Sequence, residues 1–278
     1  MRQPRSPAWR THLMFVGFDG EVRDGGDHLV ALTPTNPGYY WGNCLIFDRA
    51  PVEADFPRWM DLFQRHIVAR NPTTSHVAFG LDVQPYLEGP VVAPPAFTAA
   101  GFDLYDEATL ALQAAGLVPA PPAPGHGFEL RPLRLPEEAG LVVDLNVACN
   151  DDGYEAQGYR RFRVAQMQRY GAMDAAGLGH WWGVLHQGQV VASLGLFGRD
   201  GLGRFQHVET HPDFRRRGLC RALVHAACVH GFKARGWHTL VMGADPHDVA
   251  IGLYRSLGFR QVDTLWMLER RAPEDRAP

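Results

Sequence analysis

The sequence predicts a two-domain protein of mixed α/β (α+β) class, and three observations carry that expectation. A hairpin signal at 181–185 and 190–197 around Gln187-Gly188 is followed by a further strand at 204–210. That strand runs through a turn marked by Pro212 into Arg215-Arg216-Arg217-Gly218, which opens a long helix. Finally, the run Pro-Ala-Pro-Pro-Ala-Pro-Gly at 119–125 excludes helix and central strand, so 119–127 reads as a linker between domains at 1–118 and 128–271.

With 278 residues the chain exceeds one typical core. Its 46% hydrophobic and 21% charged residues are ordinary for a soluble globular protein. A formal net charge of -3 gives no reason to expect nucleic acid or an anionic membrane as partner. Lys233 is the only lysine, so abundance of arginine carries no argument, whereas its local clustering does. Cys44, Cys149, Cys220 and Cys228 form no C-x-x-C pair and read as free thiols of a reducing compartment. Residues 1–11 hold no apolar core of signal-peptide length, and no window approaches the roughly 18 apolar residues of a membrane span. A cytoplasmic location is the resulting expectation.

In the first half, 29–32 and 44–47 read as short strands around a Pro/Gly-rich turn. The aromatic run Tyr39-Tyr40-Trp41 between them is either core or pocket wall. Asp55 is read as an N-cap, and Trp59, Leu62, Phe63, His66 and Ile67 recur at helical spacing, with His66 a core or boundary residue. A strand at 76–83, a short helix at 97–101 and a strand from 102 to 112 follow. No phosphate-binding loop occurs in this half.

In the second half, a strand is expected at 128–133 and helices at 141–149 and 159–170. Arg160, Arg161, Arg163 and Arg169 on the second helix read as a solvated basic face. The glycines of 198–203 precede a strand, so they mark a hairpin loop and not a dinucleotide fingerprint. The helix from about 217 stops at Gly236, a short strand covers 240–242, and a helix over 249–257 ends at Gly258. A closing strand or strand pair spans 259–269, and 272–278 is expected to be a disordered tail.

The segment 207–222 is a ready anion site: amides at a helix N-terminus point outward, the helix dipole adds partial positive charge, and arginines add formal charge. Here the sequence resembles the GNAT superfamily of acyl-CoA-dependent N-acyltransferases. Arg215-Arg216-Arg217-Gly218-Leu219-Cys220 resembles its pyrophosphate loop. Val208-Glu209-Thr210 with His211-Pro212 sits where its signature strand does, and the segment from Ala250 through Tyr254 to Gly258-Phe259 resembles its late helix. Together these cover about 128–270.

The resemblance implies a splayed mixed sheet flanked by helices, with acetyl-CoA as co-substrate in the gap. Backbone of Val208, Glu209 and Thr210 would pair with the pantetheine arm, and Arg215, Arg216, Arg217, Gly218, Leu219, Cys220 and Arg221 would cradle the pyrophosphate. Tyr254 would protonate the leaving thiolate, a role open to a phenol with a pKa of about 10. Cys220 stands where the family's second loop glycine is usual, and His247 where it often has asparagine.

The resemblance implies an N-acetyltransferase in which a small-molecule or peptide amine attacks directly, with no covalent enzyme intermediate; a non-catalytic acyl-CoA-binding module is the alternative. An oligomer is compatible with either. No carboxylate lies on 240–242, so a base must come from elsewhere. His207, Glu209 and His211 alternate on one strand, but His207 and His211 would stand about 13 Å apart, against the roughly 2.3 Å that zinc demands of its ligands. No metal is therefore expected. Glu209 is the first choice for the base, His207 the lesser one, and a purely structural Glu209 stays open. The first domain resembles a degenerate copy of the same fold, without the arginine-glycine loop.

Overall fold

The computed structural model describes residues 2–83, 91–122, 124–150 and 154–273. Two compact units emerge, one formed by 1–109 with 263–278 and the other by 110–262. The boundaries fall inside two strands and not at the proline run, which lies within the second unit. The reason is long-range pairing. Val118 N donates to Leu257 O at 3.4 Å, and His225 Nε2 lies 3.1 Å from Val118 O, so the segment before the prolines is already fastened to the second unit. Of the tail expected at 272–278, Ala272 is instead buried, its amide donating to the Tyr40 hydroxyl at 2.8 Å, and 274–278 lies outside the described residues.

The first unit begins with helix α1 (Pro7–Asp19), which the sequence reading had not anticipated. Ser6 caps it by accepting from Ala8 N at 3.2 Å, and Pro7 occupies the first turn. Strands β1 (Glu21–Asp24), β2 (His28–Leu32) and β3 (Cys44–Phe47) follow, then α2 (Asp55–Phe63), extended by a π turn at Gln64–Val68. Asp55 is the first helical residue and not the N-cap. Its carboxylate accepts from Val52 N at 2.8 Å and pairs with Arg49. Strand β4 (Val77–Leu81), helix α3 (Pro95–Ala99) and strand β5 (Asp103–Gln113) come next. With the last strand, β11 (Arg260–Arg270), the unit's sheet runs β1-β2-β3-β4-β11-β5.

The core of this unit is aromatic. Phe47 stacks on Trp59 at 3.7 Å, and Phe79, Phe97 and Phe102 close around them. Tyr39 and Tyr40 belong to the interior, Tyr40 stacking on His76 at 3.9 Å, and Trp41 packs partly buried against the same core. His66 is a boundary residue, its ring 5.6 Å from that of His28.

The second unit contains β6 (Phe128–Pro132), α4 (Ala139–Ala148), α5 (Ala156–Ala175), β7 (Gly179–His186), β8 (Gln189–Arg199) and β9 (Leu202–Thr210). Then come α6 (Leu219–Lys233), β10 (Thr239–Ala244) and α7 (Ala250–Ser256). Its sheet order is β5-β10-β9-β8-β7-β6, antiparallel from β9 to β6 and parallel between β9 and β10. Among the described residues no helix is long and apolar enough to cross a membrane. Trp181 and Trp182 are core: Trp181 packs on Tyr170 and Trp182 on His230.

Helix α4 is anchored at its start by Glu138, whose carboxylate accepts from both terminal nitrogens of Arg131 (2.9 and 2.8 Å) and from Arg134 N (2.7 Å). The Arg131 guanidinium holds this acid down at about 2, against burial, which works the other way, and with help from the Arg134 amide. A depressed folded-state pKa stabilises the fold above the ordinary value of 4.5, and that contribution is lost as pH falls toward 2. Glu138→Gln is therefore expected to melt below wild type at pH 7, with the gap narrowing between pH 4.5 and pH 2; a gap constant across thermal melts in that window would refute the assignment.

Candidate active site

Strands β9 and β10 pair only where Leu202–Arg204 meet Thr239–Val241. Beyond Arg204 and Val241 they part, and the opening forms a cavity of about 240 Å³ lined by residues including Phe205, His207, Val208, Met242 and Tyr254. On its other edge β9 stays bonded to β8, with Ser193 opposite Glu209 and Gly195 opposite Gln206. Two β9 residues, His207 and Val208, thus face one on β8, a β-bulge, and His207 takes φ 42° to make it. The bulge breaks the simple alternation expected for His207, Glu209 and His211.

The chain leaves β9 through Pro212–Phe214 and re-enters regular structure at α6. Arg216 (φ 63°) and Gly218 (φ 76°) both adopt left-handed backbone, the kind of turn that aims successive amides into one concavity. Gly218 is the N-cap of α6 and brings no side-chain cap, and the first turn holds no acidic residue. A Cβ at Gly218 would meet nothing within 4 Å, so the concavity is open. Two of the arginines brace the loop: Arg215 Nε donates to Thr210 O at 3.2 Å, and Arg217 donates to Asp213 O while lying 5.1 Å over the Phe214 ring. Burial pushes the Cys220 thiol up to about 12, with its hydrogen bond to Thr210 acting in the opposite sense.

Tyr254 reaches the cleft from α7 and is 5% exposed. Burial raises its phenol above the ordinary value, and Cys220 and Asp248 push the same way, so the hydroxyl keeps its proton throughout the neutral range. His247 does not line the cleft. It is exposed, and its amide donates to Asp245 Oδ1 at 2.7 Å.

Glu209 turns away from the cleft lining toward α4 and α5. Asn146 Nδ2 donates to one of its oxygens, and His207 Nδ1 lies 3.4 Å from the other. Asn146 in turn accepts from Arg163 Nε at 2.8 Å. Burial would raise the Glu209 acid, but His207, the Arg163 charge and Asn146 outweigh it and hold it below the usual carboxylate range. His211 points elsewhere, accepting from Asp213 N at 3.3 Å. Among the described residues no cluster of three or more His, Cys, Asp and Glu side chains is arranged to hold a metal ion.

Residues 177–261 match the family model described as "Acetyltransferase (GNAT) domain". That stretch of the chain resembles a GNAT domain. An acetyltransferase of Pectobacterium atrosepticum is 35% identical over 91 residues, covering 32% of this chain and 62% of the relative, so the chain spans less than two thirds of that protein's length. The likeness in fold extends much further. A functionally unknown conserved protein of Staphylococcus epidermidis superposes with a TM-score of 0.70 at 11% identity, covering 93% of this chain and 96% of its own. A GCN5-related N-acetyltransferase of Kribbella flavida gives 0.62 at 17%, covering 96% and 94%. A tandem GNAT protein from the clavulanic acid biosynthesis pathway gives 0.58 at 16%, covering 99% and 91%.

Two residues that hold Glu209, directly or through one another, carry no motif in the sequence. Asn146 was unremarked, and Arg163 was grouped with a solvated face; Arg160 and Arg161 are indeed exposed, but Arg163 (0% exposed) and Arg169 are buried. The signal was present: Arg163, Met167 and Tyr170 recur at i, i+4 and i+7, placing the arginine on the apolar stripe of α5.

Proposed function

We propose that the protein transfers an acetyl group from acetyl-CoA to an amine, by direct attack of the amine within a ternary complex. The observation that carries this reading is the conjunction of the β9/β10 cleft with Tyr254 on its wall and an uncapped helix N-terminus at the end of β9. The open edge of β9 from Val208 to Thr210 suits the peptide-like pantetheine arm, as an added strand would. Amides of Arg216 to Arg221 suit the diphosphate. Tyr254, protonated and buried, is placed to hand its proton to the departing thiolate. The acceptor is a small-molecule or peptide amine.

Mixing the protein with acetyl-CoA and a panel of amines, and following free thiol, tests the activity directly; acetyl-CoA binding with no thiol release on any amine would instead favour an acyl-CoA-binding module. The loop has its own test. Gly218→Val places a β-branched side chain at φ 76°, which distorts the cradle. Loss of charge-assisted bonds of about 1.5–3 kcal/mol weakens acetyl-CoA binding by about tenfold or more. Binding of acetyl-pantetheine, which lacks the diphosphate, should not change. Equal losses for both ligands in calorimetric titrations would show that the loop does not read the diphosphate.

A further inference from the structure

We infer that His207 takes the proton from the attacking amine, and that Glu209, held in turn by Asn146 and Arg163, positions and supports His207 without touching the substrate. This rests on the acyl-transfer reading above and assigns the base that reading lacks. Three placements carry it. His207 lines the cleft together with Tyr254, whereas Glu209 is not among the lining residues. The imidazole Nδ1 stands 3.4 Å from a Glu209 oxygen, so the carboxylate orients the ring on the cleft wall. And His207 sits at the bulge with φ 42°, a conformation a bulky residue adopts at a cost and one that turns its side chain out of the strand's regular alternation.

Behind this pair the support is rigid. Glu209 is clamped by Asn146 from α4, and Asn146 by the fully buried Arg163 from α5. The carboxylate, kept ionised by these neighbours, stabilises an imidazolium. The other charged or titratable groups on the cleft are Tyr254 of α7 and Asp245 and Asp248 between β10 and α7. Both aspartates accept from backbone amides, of His247 and Ala250 respectively, at 2.7 Å.

The proton count closes. His207 removes one proton from the ammonium form of the acceptor. The neutral nitrogen attacks the thioester carbonyl, forming C–N while the carbonyl π pair moves to oxygen. Collapse restores C=O, breaks C–S and leaves the pair on sulfur, which takes a proton from Tyr254. The nitrogen's second proton returns through solvent to the Tyr254 phenolate, and His207 passes its own to water. The products are amide, thiol and one proton.

His207→Asn is the informative variant, because asparagine tolerates left-handed backbone and so preserves the bulge. With an alkylammonium acceptor its kcat/KM should fall by about 100-fold or more. With methoxyamine, which arrives neutral, the fall should be less than about tenfold. Glu209→Gln should retain turnover while moving the acid limb of the kcat/KM profile to lower pH by about one unit. The His207 Cε1–H resonance, assigned by its loss in His207→Asn, should shift its titration by the same amount.

Turnover in His207→Asn equal to wild type for the alkylammonium would overturn the assignment while leaving acyl transfer intact. So would a Glu209→Gln variant that is dead with its His207 titration unmoved, since Glu209 would then be the base. Wild-type protein that binds acetyl-CoA but acetylates no amine would overturn the acyl-transfer reading and this assignment with it.

Discussion

Tyr254→Phe is expected to lower kcat by about 10²- to 10⁴-fold, the range of a positioned proton donor, while the affinity for acetyl-CoA stays within about twofold, since a group used only as sulfur departs adds nothing to ground-state binding. The substitution removes one hydroxyl and keeps the ring, whose edge contact with Phe259 at 6.4 Å helps seat α7. It therefore separates chemistry from packing. Burial holds the phenol above its ordinary pKa, so no basic limb due to Tyr254 should appear in kcat between neutrality and about pH 10. Stopped-flow thiol release and equilibrium binding on the same preparation give both numbers. A variant with unchanged kcat would remove Tyr254 from the mechanism.

Much of the second unit was legible because its determinants are local. Gln187 (φ 49°) and Gly188 (φ 80°) form the two-residue turn expected between β7 and β8, a geometry the flanking strand twist selects. Gly236 and Gly258 end helices in left-handed backbone, as glycine after an apolar periodic run predicts. The Arg-Gly segment opens α6 as expected, and Tyr254 lies on α7 and lines the cleft.

What escaped the sequence depends on partners distant along the chain. Asn146 meets Glu209 across 63 residues, so no spacing rule could pair them. The β9 bulge is set by cross-strand register with β8, and its consequence, that His207 and Glu209 part company between cleft and helix layer, follows only from that pairing. The unit boundaries lie in β5 and β11 because strand pairing and not backbone stiffness decides membership; prolines forbid regular structure locally and say nothing about which core a segment joins. Helix α1 was missed for a different reason. Its buried face mixes Thr11 and His12 with Trp9, Phe15 and Val16, so the apolar stripe is interrupted, although Ser6-Pro7 supplied the start signal.

The sharpest structural test lies at the far end of the helix that carries Tyr254. Gly258 has φ 102°, and a Cβ there would lie 1.9 Å from Gly116 O and 2.9 Å from Gly116 C, a backbone obstacle that no rotamer change can move aside. The left-handed conformation alone costs a residue with a Cβ about 1–3 kcal/mol, and the overlap forces either this turn or the segment at Gly116 to shift, so Gly258→Ala should destabilise the fold by at least about 2 kcal/mol. Gly252, on the same helix, supplies the contrast: a Cβ there meets nothing within 4 Å, and its backbone is helical. Gly252→Ala should accordingly be neutral or stabilising by up to about 1 kcal/mol, through helix propensity. The pair isolates the cause, since one change adds a methyl within α7 and the other adds it just past its end, and only the second meets a carbonyl. Urea unfolding followed by tryptophan fluorescence measures both. Because Leu257 N and Phe259 N both donate to Tyr254 O, at 3.0 and 3.2 Å, displacement of Gly258 is transmitted to the backbone of the proton donor. Gly258→Ala should therefore lose kcat under conditions where it remains folded, and equal midpoints for the two variants would show that the turn at Gly258 yields more easily than its geometry implies.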